Sequence, residues 1–452
     1  MDISSLMAIS PLDGRYQDKV TSLREIFSEY GLIKHRIIVE IRWLELLLNL
    51  PEIGKLSSSA KKQLDDMIES FSPIDAMQIK KIEARINHDV KAVEYFIKER
   101  ILDHPELKAV SELIHFGCTS EDINNLAYSL MLKNAREQCI LPLLNDLVAT
   151  MRCDAHSYAD LSMLAHTHGQ PASPTTLGKE IANVVVRLER QMDQLTHASL
   201  FGKMNGASGN YNALAIAYPN IDWQQQSERF ITQLNLTWNP YTTQIEPHDS
   251  LAEWFAIILR INTILLDFNR DIWGYIAIHY FKQKSLPGEV GSSTMPHKIN
   301  PIDFENSEGN LGIANALLEH MIAKLPISRW QRDLSDSTVL RNIGVALGYT
   351  LLSYQATLKG IKKLEPNQSV ITADLNQHWE VLGEAIQTMM RRYQLEQAYE
   401  QLKDFTRGKT LDQATLQQFI TQLPLPDTEK KRLLALTPQH YIGYAKELAG
   451  KV

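Results

Sequence analysis

Long apolar stripes at helical spacing constrain this chain more than any other feature. Between Thr176 and Leu200, the residues Ile181, Val184, Val185, Leu188, Met192 and Leu195 fall on one stripe, while Arg187, Glu189, Arg190 and Asp193 lie elsewhere. Comparable patterns run over 122–156, 250–281, 306–324 and 337–363, with little of the Val and Ile alternation expected of strands. Five long helices joined by polar loops predict an all-α fold built on a helix bundle. The stretch 251–280 is the most apolar. Glu253, Arg260, Asp267, Arg270 and Asp271 interrupt it, and hydrocarbon would not tolerate these without partners, so it reads as a helix buried in protein and not as a membrane span.

At 452 residues the chain exceeds what one compact core organises. Ahead of the bundle, helix is predicted over 22–50, stopped by Pro51 and Gly54, and again over 59–71 and 73–100, which makes residues 1–111 an N-terminal helical domain. Residues 112–364 form the long-helix domain. After Pro366 the pattern shortens to helices around 373–393, 395–406, 410–423 and 426–435, a small C-terminal helical domain over 365–452. The net charge of -7 favours solubility and does not suggest a nucleic-acid scaffold, which would need a dominating basic face, while leaving room for local cationic pockets. Cys118, Cys139 and Cys153 lack any paired metal-ligand spacing and fit a reduced, cytoplasmic protein; the start, Met1-Asp2-Ile3-Ser4, lacks the basic and apolar regions of a secretory signal.

Three polar segments gather chemistry. Gly291-Ser292-Ser293-Thr294-Met295-Pro296-His297-Lys298-Ile299-Asn300-Pro301 sets mobile backbone, two hydroxyls, a cation and an amide between two long helices. Such a loop can close on an anion, although a solvated interhelix loop uses the same residue types. From 284 to 296 it is expected to order only around a ligand. His166-Thr167-His168-Gly169-Gln170-Pro171-Ala172 offers a His-x-His pair, but a metal site would need a third ligand at a plausible spacing and none is evident. Gly117-Cys118-Thr119-Ser120-Glu121-Asp122 precedes a helix, where Thr119 or Ser120 serves equally as an N-cap or, with the same free amides, as a seat for a carboxylate.

As whole strings, these segments resemble the signature regions of the fumarase and aspartase superfamily, whose members eliminate fumarate from succinyl compounds. Asn87-His88-Asp89-Val90-Lys91-Ala92-Val93-Glu94 and Arg329-Trp330-Gln331-Arg332-Asp333-Leu334-Ser335-Asp336-Ser337-Thr338-Val339-Leu340-Arg341 resemble the adenylosuccinate lyase branch, as do Arg15-Tyr16 and Gln244 before Glu246-Pro247-His248-Asp249. The Met-Pro-His-Lys form of the loop is similar to that of adenylosuccinate lyases and carboxymuconate cycloisomerases. The arginine-rich string separates the two, because a nucleotide has a phosphate to hold and arginine carries a fixed fork of donors.

The resemblance implies a three-domain fold with a five-helix central bundle, a twenty-helix core in a homotetramer with shared active sites, and release of fumarate from adenylosuccinate, giving AMP, and from SAICAR, giving AICAR. It implies Ser292 as base, His168 rather than His166 as general acid, Glu305 as the carboxylate that orients that histidine, and Lys298 beside the developing charge. Substrate contacts would come from Arg15, Tyr16, Asn87, His88, Asp89, Thr119, Ser120, Gln244, Ser293, Asn300, Asn306, Arg332, Ser337, Thr338 and Arg341, with no metal and no organic cofactor. Another fumarate-releasing lyase or a cycloisomerase of the same superfamily is the alternative. A non-catalytic homologue is disfavoured by the presence of Ser292, His168, Lys298 and Glu305 together.

Overall fold

The computed structural model describes residues 3–284, 295, 298–407 and 411–452. It is 68% helical. The predicted long helices are found over Ser120–Ala135 continued through a π turn into Leu141–Ser157, then Leu177–His197, Asp249–Ala277, Ile302–Lys324 and Ile343–Lys363. No helix among the described residues is long and apolar enough to cross a membrane.

The chain divides into two compact units, one of residues 1–144, 191–263 and 309–354, the other of 145–190, 264–308 and 355–452. In the first, the Glu29–Leu48 helix presents Ile33, Ile37, Ile41, Leu44 and Leu48, spaced four, four, three and four residues apart, to Leu64, Ile79, Ile82, Val93 and Phe96. That helix is buried on nearly every side, and Arg36 is carried inside with it. The pattern read as one helix over 22–50 is two, Thr21–Phe27 and Glu29–Leu48. Ser28 caps the second by accepting from Gly31 N, and a Cβ at Gly31 would sit 2.3 Å from Ile26 O, so glycine is what lets the two helices meet closely. The pattern over 73–100 likewise splits into Pro73–Ile86 and Asp89–Arg100, with Asn87 in the left-handed region (φ 54°) ending one helix and His88 capping the next.

The second unit holds a satellite core around Leu382, Ile386, Met390, Leu416 and Ile420. It also holds a feature that the helical reading did not predict. Ser162–Thr167 and Gln170–Thr176 form an antiparallel hairpin in register Thr167 to Gln170, where the polar segment from His166 to Ala172 predicts a loop between helices. Its two-residue turn is His168-Gly169, at φ 54° and 71°. Positive φ at both positions is what a tight hairpin turn of this length requires. The hairpin packs on the Gln368–Gln377 helix, Leu164 meeting Leu375 and Val381, while Ser162 Oγ donates to Gln439 O and Tyr441 Oη to Glu384.

Candidate active site

In the first unit the sequence-predicted residues meet along one continuous run of polar contacts. Arg341, the C-cap of the Ser335–Leu340 helix, donates to Glu29 Oε2 at 3.0 Å and to Asp89 Oδ2 at 3.2 Å. Asp89 also accepts from Arg36 Nη2 at 2.7 Å, and Arg36 Nε donates to Asn124 Oδ1 at 2.9 Å. Asn124 Nδ2 donates to Glu121 Oε1 at 2.8 Å, and the same oxygen lies 3.0 Å from Arg332 Nη2. Arg332 Nη1 reaches Gln244 Oε1 at 3.4 Å. Segments hundreds of residues apart in sequence thus share one polar surface.

The electrostatics follow from this packing. Burial alone would raise the Asp89 pKa, but the charges of Arg36 and Arg341 and the Arg36 hydrogen bond outweigh it and hold the carboxyl below its ordinary value. Glu29 behaves the same way, with Lys80 and Arg341 overcoming desolvation. Both acids therefore stay ionised, and the arginines stay anchored.

The remaining candidates of this unit sit at turns. Thr119 is the N-cap of the Ser120–Ala135 helix, and its backbone N–H donates to Asp122 Oδ2 at 2.8 Å. His88 Nδ1 accepts from Lys91 N at 3.1 Å, and its ring is exposed. Arg15 lies over the ring of Tyr16, 5.8 Å from its centroid. Ser337 N donates to Asp336 Oδ1, and Asp336 Oδ2 faces His248 Nε2 at 3.3 Å. Thr338 O accepts from Asn342 Nδ2.

In the second unit the hairpin turn presents His168 exposed to solvent, while the ring of His166 meets Tyr280 edge-on at 6.0 Å, whose hydroxyl donates to Asp374 at 2.5 Å. Lys298 is exposed and Asn300 half-buried just ahead of the Ile302–Lys324 helix, on whose first two turns Glu305 and the half-buried Asn306 lie. Glu305 Oε1 accepts from Trp273 Nε1 at 3.1 Å, and among the described residues no hydrogen bond joins it to His168. Ser292 and Ser293, with most of the loop 284–296, lie outside the described residues. Among the described residues no group of three His, Cys, Asp or Glu side chains is arranged to hold a metal ion.

Four residues of this surface escaped the sequence reading: Arg36, Glu121, Asp122 and Asn124. Glu121 and Asp122 stand in the first turn of the Ser120–Ala135 helix. The structure buries both, Glu121 against Arg332 and Asn124, and Asp122 against Lys203. No signal in the sequence singles out Arg36, which shares its helix with Lys34, His35, Glu40, Arg42 and Glu45.

Comparison with known proteins adds to this geometry. The lyase family model matches residues 14–315, and the model for the adenylosuccinate lyase C-terminal region matches 328–442. The chain is 58% identical over 448 residues to an adenylosuccinate lyase of Escherichia coli K12, covering 98% of each, and 58% identical over 455 residues to one of Haemophilus influenzae, covering 100% of each. Among solved structures, a 3-carboxy-cis,cis-muconate lactonizing enzyme from Pseudomonas putida superposes with a TM-score of 0.75 at 22% identity, covering 95% of this chain and 96% of its own. At that identity the likeness speaks for the fold alone.

Proposed function

The chain belongs to the adenylosuccinate lyase family, and from that premise we propose how its site works. It is a lyase of purine nucleotide biosynthesis. The reaction is a β-elimination: a base removes a proton from the succinyl carbon beside a carboxylate, negative charge collects on that carboxylate, and the C–N bond breaks as an acid protonates nitrogen. Adenylosuccinate gives AMP and fumarate, and SAICAR gives AICAR and fumarate.

In our reading Ser292 is the base, Ser293 binds substrate, and Lys298 and Asn300 stabilise the doubly charged intermediate. His168 is the acid and Glu305 orients it. A serine hydroxyl serves as base only where amides and a cation acidify it, which is the part the Ser-Gly loop and Lys298 play. The phosphate falls to some of Arg15, Tyr16, His88, Arg332, Ser337 and Arg341, with Asn87, Asp89, Thr119, Ser120, Gln244, Asn306 and Thr338 completing the substrate contacts. This chemistry calls on no metal or organic cofactor. The observation that carries the reading is the run of contacts from Arg341 to Gln244, which joins three arginines to their anchoring acids and links Arg341, Asp89, Arg332 and Gln244, the members marked by family resemblance.

His168 is exposed on its turn, and Glu305 is bonded to Trp273. Both facts support a site completed by other copies of the chain: a homotetramer in the cytoplasm, with Ser292, His168 and Thr119 reaching each site from three different chains. The division at residues 111 and 364 is part of the same proposal, the middle segment supplying the tetramer's twenty-helix core. A substrate panel tests the reading. Fumarate should appear from adenylosuccinate and SAICAR and not from argininosuccinate, and carboxymuconate should not be lactonised; turnover of either of the last two in preference would overturn it.

A further inference from the structure

Lys203 follows the short Phe201–Gly202 strand and is wholly buried, as is Asp122. Its Nζ lies 2.9 Å from Asp122 Oδ1 and donates to the carbonyls of Gly206 at 3.0 Å and Gln244 at 2.8 Å. An ammonium group has three donors, so every one is used. Asp122 is equally committed: Oδ2 accepts from Thr119 N at 2.8 Å and Gly206 N at 3.1 Å, and Oδ1 accepts from Asn205 N at 3.0 Å. Asn125 closes the array, donating from Nδ2 to Lys203 O at 3.0 Å and accepting from Lys203 N at 2.8 Å. One buried cation therefore ties together the turn that starts at Thr119, the segment 203–206 and the backbone of Gln244.

We propose that Lys203, through Asp122, is a positioning residue that fixes the Thr119-Ser120 turn and Gln244 in the arrangement that receives substrate. It has no exposed surface with which to touch substrate and acts only through these segments. The proposal rests on the reading of Thr119, Ser120 and Gln244 as substrate contacts. An apolar pair of similar volume would serve stability as well or better than a buried ion pair. What it would lack is a directional hold on two carbonyls and three amides at once. Gly206, at φ 84°, shows why a hold is needed, because its peptide turns both its N–H and its C=O toward the pair. Binding groups on turns owe their geometry to the shell behind them, and a displacement of about 1 Å can cost about a hundredfold in rate.

The test is a cycle on the full-length protein. Lys203→Met with Asp122→Asn removes both charges together, so no lone buried ion remains. This variant should fold, by circular dichroism and thermal midpoint, yet show KM for adenylosuccinate raised by about tenfold or more. Thr119→Ala should raise KM in the native background and add little in the charge-free one, because the turn it belongs to has already moved. If the double variant fails to fold, Lys203→Gln with Asp122→Asn, which keeps polar ends in the site, again leaves no lone charge and is too short to span both carbonyls, is read by the same two criteria. A folded variant with native KM, or additive effects of the two changes, would overturn the positioning role. Thr119→Ala with no effect in the native background would instead overturn the reading of the turn as a substrate contact, and this proposal with it.

Discussion

Arg36 Nη2 donates to Asp89 Oδ2 at 2.7 Å from a side chain only 2% exposed, and through Asp89 it reaches Arg341. A buried arginine bonded to both Asp89 and Asn124 serves as the foundation of this run of polar contacts. Arg36→Met should cost about 3 kcal/mol or somewhat more of folding stability, the order expected when one partner of a buried pair is removed. Urea unfolding checks this, and a loss well under 1 kcal/mol would show that Asp89 finds its counter-charge elsewhere.

His115 and Glu40 supply a pH dependence. His115 Nδ1 lies 2.6 Å from Glu40 Oε1. Burial by itself would lower the histidine pKa, but the hydrogen bond and charge of Glu40 outweigh it and hold it above the ordinary 6.5. A raised folded pKa means stabilisation that is complete below the unfolded value of about 6.5 and is lost as pH rises through the folded value. His115→Gln should therefore destabilise most at mildly acidic pH and progressively less on the alkaline side. A pH-independent difference in unfolding free energy would contradict this assignment.

The hairpin turn gives a local test. A Cβ at Gly169 would meet nothing within 4 Å, so Gly169→Ala is not a steric change; it forces alanine to φ 71°. The cost should be about 1 kcal/mol, and kcat should fall because the same turn carries His168. Gly169→Asn, which tolerates that region, should be milder in both respects. Equal effects of Ala and Asn would mean that strain is not the cause.

Acid and base should separate from binding. Ser292→Ala and His168→Ala should each abolish turnover and leave nucleotide affinity within a small factor. Arg341→Ala should weaken AMP binding roughly tenfold to a hundredfold, the scale of one or two charge-assisted hydrogen bonds, and fumarate binding much less. The two inactive proteins, dissociated and reassembled together, should regain activity if each site draws Ser292 and His168 from different chains. Hybrids that form and stay inactive would place both on one subunit, or refute one of the roles.

How much of this was legible beforehand depended on periodicity. The long helices could be read because their apolar residues repeat at one spacing over twenty or so positions, as from Ile181 to Leu195. Breaks marked by a single residue were missed. Nothing in the apolar pattern changes at Ser28 or at Asn87-His88, although Ser before Gly31 and Asn at a helix end are both recognisable signals. The hairpin was hidden for a different reason. Pro171 and Pro174 argue against a strand, but in a two-stranded ribbon each strand is an edge and a missing donor can face away from its partner.

The candidate site was legible in its motif residues and illegible in the side chains that support them. Arg332, Arg341, Gln244 and Asp89 were named from resemblance. Arg36, Asn124 and Lys203 were not, because a buried polar residue within a helix or after a short strand leaves no spacing signature. Only tertiary contact shows that Glu121 faces Arg332 and not solvent.

The reaction itself is the central claim. Purified protein mixed with adenylosuccinate should produce a fall in ultraviolet absorbance, with AMP and fumarate recovered in equal amounts by chromatography and with neither formed by the Ser292→Ala protein. An unchanged spectrum from folded, assembled protein, or loss of adenylosuccinate without fumarate, would contradict the account.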